Sequence, residues 1–194
     1  MKYQILVADP PWCYRDQKNN DPRMGGITYK IMKDEDIYSL PVNEIADKDS
    51  ILFMWATMPK LPEALETIKR WGFSYTTCAF CWVKQNPKND NFYSGLGHWV
   101  NGNIELCLLA KKGHPKRIAK NIKQIVLAHR REHSRKPDEV ADRIVKLMGD
   151  LPRIELFATH QTKGWTCLGF DIDNKDIRDS LNEIIKSNES INTN

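Results

Sequence analysis

Residues 5–12 read Ile5-Leu6-Val7-Ala8-Asp9-Pro10-Pro11-Trp12. An apolar run stops abruptly at an acid, two prolines and an aromatic ring. Proline fixes φ and has no backbone N–H, so a strand cannot continue through Pro10 and Pro11. Their carbonyl oxygens are expected to lack ladder partners and to be free to accept from another molecule. Asp9 adds a second acceptor at the same point, and Trp12 adds a flat face. Two acceptors beside a stacking surface match the exocyclic amino group of adenine or cytosine. A strand end closed by a simple turn is the plainer alternative.

The rest of the chain sets the frame for that corner. At 194 residues, 41% hydrophobic and 28% charged, it has the size and composition of one soluble globular domain rather than a disordered chain. It contains no apolar run long enough to span a membrane, and its start, Met1-Lys2-Tyr3-Gln4, does not resemble a secretory signal. Five cysteines, an odd number in mostly apolar surroundings, fit a reduced, cytoplasmic protein. The net charge is only +4, yet ten Lys or Arg and one acid fall between Lys111 and Lys136. That density suggests a polyanion partner.

Periodicity predicts strands over 4–8, 51–56, 75–83, 104–110, 123–128, 153–158 and 165–169, and helices over 34–40, 62–71 and 136–148. Residues 84–99 read as a polar loop rich in Asn, Gly and Pro. From about residue 173 the chain reads as one amphipathic helix with a frayed polar end, appended to a domain spanning residues 1–172. Strands alternating with helices imply a parallel-rich sheet covered on both faces. Ligands then bind at the carboxyl ends of the strands, where Asp9 and Ala158 fall.

Six stretches in order carry a resemblance: Ala8-Asp9-Pro10-Pro11-Trp12, Tyr29-Lys30-Ile31-Met32, Trp82-Val83-Lys84, Gly97-His98-Trp99 with Asn103-Ile104-Glu105, Ser134-Arg135-Lys136-Pro137-Asp138-Glu139, and Arg153-Ile154-Glu155-Leu156-Phe157. The chain resembles the DPPW-type adenine-N6 methyltransferases, the family of the eukaryotic messenger-RNA adenosine methyltransferase catalytic subunit and its stand-alone bacterial and phage relatives. The resemblance runs over roughly residues 4–172. It implies a Rossmann-like methyltransferase sheet with S-adenosylmethionine as donor, in a permuted order with the catalytic acid early and the cofactor-binding strand late.

The resemblance also implies roles. Asp9, Pro10, Pro11 and Trp12 form the catalytic corner, with Asp9 facing the donor as well. Tyr29, Lys84, Asn103 and Glu105 face the substrate. Lys136 reaches the carboxylate of the donor's methionine portion, Glu155, Leu156 and Phe157 floor the donor cleft, and Thr159, Gly169, Phe170 and Asp171 complete it. Two positions depart from the family pattern: Thr159 stands where an Arg is usual, and Phe170-Asp171 replaces the usual Asn-Glu or Asn-Gln after Gly169.

The expected activity is N6 methylation of adenine in DNA, since the chain is compact and stand-alone. RNA is the alternative substrate, and a catalytically silent nucleic-acid-binding partner subunit is the alternative role; a homodimer or a heterodimer with a related subunit fits either. No metal is expected. Cys78 and Cys81 are three apart in a strand and point to opposite faces, and His129 with His133 lacks the rest of a zinc motif.

Overall fold

The computed structural model describes residues 1–14, 31–95, 97–131 and 135–192. Seven strands form one sheet: β1 (Tyr3–Ala8), β2 (Ala46–Ala56), β3 (Ser74–Gln85), β4 (Ile104–Lys112), β5 (Ile125–His129), β6 (Arg153–Leu156) and β7 (Thr166–Leu168). Their order is β5-β3-β4-β2-β1-β6-β7. All run the same way except β4, which is antiparallel to both β2 and β3.

Strict alternation along the central strands divides the core into two layers. Leu6 and Ala8 of β1, with Leu52 and Met54 of β2, face α1 (Asp34–Tyr38), α2 (Val42–Ile45), α3 (Leu61–Arg70) and α6 (Ile177–Asn192). Ile5 and Val7, with Ile51, Phe53 and Trp55, face α4 (Asp138–Met148). This is the expected α/β sheet covered on both faces, with the proline-stopped strand near its middle. A short α5 (Phe170–Asp173) precedes α6, whose Ile177 and Leu181 are buried in the first layer.

The differences from the sequence expectations have backbone causes. β2 begins five residues early, through the polar run Ala46-Asp47-Lys48-Asp49-Ser50, because Ala46 pairs with Tyr3 and Ser50 with Lys112. Side-chain polarity hid a ladder that hydrogen bonding alone maintains. β3 runs to Gln85, so Lys84 lies in a strand rather than a loop, paired with Ala128 of β5.

The basic stretch 111–136 is not one patch. Lys111 and Lys112 end the reversed strand β4, level with Ile51 and Ser50 in the first half of β2. Arg130 follows β5 at the opposite end of the sheet. Among the described residues no helix is long and apolar enough to cross a membrane.

Candidate active site

Six strands bring their carboxyl ends to one edge of the sheet, and reversed β4 brings its beginning to the same place. A cavity of about 330 Å³ opens there. Its wall includes Asp9 to Trp12 after β1, Thr57 after β2, Lys84 on β3, Glu105 on β4, Phe157 to Thr159 after β6, and Gly169 to Asp171 after β7. It lies where the chain has built outward on both sides of β1, the place at which open α/β sheets take ligands.

The corner is held by its own bonds. The Trp12 N–H donates to the Pro10 carbonyl at 2.8 Å, and the Met32 N–H donates to the Pro11 carbonyl at 3.1 Å. The expectation that both carbonyls are free is corrected here: each already accepts one bond, and each keeps a second lone pair. Trp12 is 4% exposed and its indole N–H donates to the Trp55 carbonyl at 3.4 Å. It shapes the slot from within the core and leaves little ring face for stacking.

A chain of charges runs across the cavity wall. Lys136 Nζ donates to Asp9 Oδ2 at 2.5 Å and lies 3.2 Å from Glu105 Oε2. Lys84 Nζ pairs with the other oxygen of Glu105, Oε1. Asp9 Oδ1 carries no hydrogen bond among the described residues. Burial holds the Asp9 carboxyl above its ordinary value, against the pull of Lys136. Burial alone would also raise Glu105 and lower Lys136. The two lysines beside Glu105 overcome this and hold it below the ordinary range, and the two acids beside Lys136 hold its ammonium above the ordinary range. Indole rings of Trp82 and Trp55 lie under Lys84 and Lys136, at 5.1 and 5.7 Å.

On the β6 side, Phe157 adopts φ 64°, a left-handed conformation uncommon for a bulky residue. Backbone strain of this kind clusters at ligand sites. A Cβ on Gly169 would sit 2.2 Å from the Ala158 carbonyl, so only glycine allows the two cleft-lining turns to approach this closely. Phe170 is half exposed at the cleft wall, a free ring face beside Asp171.

Glu155 points the other way from the core layer that holds Ile154 and Leu156. It lines a second cavity of about 240 Å³, beside Arg135, Lys136, His160 and Gln161. Lys136 and Arg135 stand on the wall common to both cavities. Burial pushes the Glu155 carboxyl up to about 7, although the Thr162 hydroxyl donates to its Oε2 at 3.2 Å. The folded protein therefore holds a proton that the unfolded chain releases near 4.5. This group's stabilisation is full below that value and is lost as pH rises through about 7. Stability relative to Glu155→Gln should be greater at about pH 5 than at about pH 8, by roughly 2–3 kcal/mol. Urea unfolding of both proteins at the two pH values checks this, and a pH-independent difference contradicts it.

Three assigned residues, Glu155, Leu156 and Asn103, do not line this cavity as the resemblance implies, and Glu155 lines the second one instead. Leu156 is fully buried in the opposite core layer and gives the cleft no side chain. Asn103 precedes β4, outside the cavity wall, and uses its carbonyl to accept the Lys84 N–H at 2.8 Å. Tyr29 lies outside the described residues. Sequence reading missed Tyr14 and Thr57, whose hydroxyls bond at 2.7 Å on the cavity wall, and Arg130 and Arg131 elsewhere on that wall. Thr57 directly follows a parallel strand, which is the signal that marks it. Among the described residues no group of three or more His, Cys, Asp or Glu gathers as a metal site would require.

Comparisons with known proteins identify the family. The MT-A70 family model matches residues 3–171. The type II methyltransferase M.MunI of Mycoplasma sp. is 34% identical over 90% of this chain and 80% of its own length. The N(6)-adenosine-methyltransferase MT-A70-like protein of Arabidopsis thaliana is 32% identical over 86% of this chain, and the human catalytic subunit METTL3 is 30% identical over 89%. The match takes in 23% and 28% of the length of those two, about a quarter of each. An acid-and-proline corner at the middle of a doubly covered sheet, with a family match over nearly the whole chain, places the protein in the MT-A70 family of methyltransferases.

Proposed function

We propose that this protein transfers a methyl group from S-adenosylmethionine to the N6 amino group of adenine in DNA. One observation carries the reading: Asp9 is pinned through Oδ2 by Lys136, keeps Oδ1 without a hydrogen bond among the described residues, and lines with Pro10 a cavity of about 330 Å³ that runs on to Phe170 and Asp171. When bound, the donor supplies an electrophilic methyl on a sulfonium. Its seat fits the residues present. Phe170 offers a ring face for an adenine, Asp171 an acceptor for ribose hydroxyls, and Lys136 a cation between the cavities.

The amino nitrogen of adenine is a poor nucleophile because its lone pair is delocalised into the ring. Accepting its two N–H bonds at Asp9 Oδ1 and the Pro10 carbonyl favours a pyramidal nitrogen, with the lone pair aimed out of the ring plane. With the donor bound, that lone pair would take the methyl as the carbon–sulfur electron pair stays with sulfur, and the surplus proton would leave the product amine for solvent. The protein's contribution is position and preorganised acceptors rather than a tuned base. In a duplex the adenine must first leave the stack, at a cost of a few kcal/mol.

DNA is preferred over RNA because the likeness takes in most of a type II methyltransferase and only about a quarter of the adenosine enzymes. The test is transfer of labelled methyl to DNA and RNA oligonucleotides of matched sequence. We expect N6-methyladenine in DNA at a rate at least tenfold above RNA. Faster transfer to RNA reverses the substrate assignment, and absence of both transfer and donor binding overturns the reading in favour of a silent subunit.

A further inference from the structure

Three arginines stand on the cavity wall, and they are not equivalent. Arg131 and Arg135 both pair with the carboxylate of Asp138 in the first turn of α4. Arg130 has no acidic partner among the described residues. Its guanidinium lies over the ring of Tyr93, with Cζ 4.0 Å from the centroid. Both members of this stack hang from the end of β3: the Tyr93 N–H donates to the Lys84 carbonyl at 2.8 Å, and the Arg130 N–H donates to the Gln85 carbonyl at 3.0 Å. The stack is thus indexed to the strand that carries Lys84 into the charged chain.

Its place in the sheet says which ligand it meets. The proposed donor seat lies on β6 and β7, on one side of β1. Arg130 follows β5, on the far side, beyond β2, β4 and β3. Four strand spacings put the two strand axes about 19 Å apart, and the Arg130 side chain spans part of that gap to reach the cavity wall it shares with Asp9. It therefore stands on the side of the cavity away from the donor seat, where the sugar-phosphate chain leads from a base held at Asp9. A guanidinium stacked on a ring is fixed in plane and leaves its N–H fork open at the edge, the geometry that takes a phosphodiester with two parallel bonds. An acidic neighbour would have neutralised it, and none is present among the described residues.

We propose that Arg130, seated on Tyr93, binds the backbone phosphate next to the target adenine. This rests on the nucleic-acid reading above and adds a residue that fixes register.

The test uses the full chain and a short DNA in which the wild-type protein methylates one adenine. Arg130→Ala should raise KM for DNA about tenfold, leave kcat and the affinity for S-adenosylmethionine unchanged, and reduce the salt slope of log KM by about 1. A neutral methylphosphonate at the linkage beside the adenine should cost the wild type a similar factor and cost Arg130→Ala nothing more. Tyr93→Phe should behave as wild type, whereas Tyr93→Leu should lose part of the affinity. An unchanged KM and salt slope in Arg130→Ala, or losses that multiply on the modified DNA, overturns the assignment while transfer by the wild type still upholds the activity. A wild-type protein that methylates neither DNA nor RNA and binds no donor removes the activity and this contact together.

Discussion

Asp9→Ala lowers methyl transfer by about 10²–10³-fold, the size of effect seen when one preorganised partner of a developing charge is deleted. The effect falls on kcat because the acceptor acts most strongly as the amino nitrogen turns pyramidal and its N–H bonds gain positive character. Asp9→Asn should be nearly as damaging. Lys136 is an obligate donor, so the amide turns its oxygen toward Nζ and its NH2 toward the adenine, setting donor against donor. Labelled-methyl transfer at saturating donor and DNA measures this, with calorimetry of donor binding showing that the fold and its cleft survive. Transfer by either variant within a few-fold of wild type contradicts the role.

Lys136→Met is expected to give the largest loss of stability. Lys136 Nζ answers two mostly buried acids, Asp9 and Glu105. Removing one partner of a buried pair costs about 3–5 kcal/mol, because the remaining charge is stranded. Methionine keeps most of the stem over the Trp55 ring, so lost charge rather than lost packing dominates. The sign of the pH dependence follows. In the wild type, Glu105 is held below its ordinary value and contributes stability above that value. Without Lys136, a pull that lowers both acids is lost and each rises from its wild-type value, Glu105 keeping only Lys84 beside it, so the variant gains less stability than the wild type as pH rises. The gap from wild type should therefore widen between about pH 5 and about pH 8 in urea unfolding. A gap under about 1 kcal/mol at both pH values would contradict the stranded-charge account.

Much of this architecture was legible in residue order, for reasons particular residues make plain. The run Ile5 to Ala8 is apolar on both faces because both core layers touch β1, and the prolines mark where it must stop. Pro137, Asp138 and Gly149 bracket α4 as helix-end chemistry requires. The polar first half of β2 was not legible, since its pairing with Tyr3 and Lys112 leaves no trace in side-chain pattern.

The candidate site was legible where one residue suffices, at Asp9 and Lys136, and less so where meaning depends on a partner. Glu105 is an oddity in an apolar strand until Lys84 and Lys136 are seen on its two oxygens. The clustered positive charge looked continuous along the chain. The reversal of β4 sends its first lysines to one end of the sheet and its last arginines to the other.

The turn at Pro10 and Pro11 closes on itself through Trp12 and Met32, and its acid is anchored from the root of a helix. Neither anchor belongs to the segments 86–103 and 113–124 that skirt the sheet between its strands. The acid and its prolines therefore keep their geometry when 113–124 is exchanged, whereas 86–103, bonded to Lys84 through Tyr93 and Asn103, is tied into the charged chain.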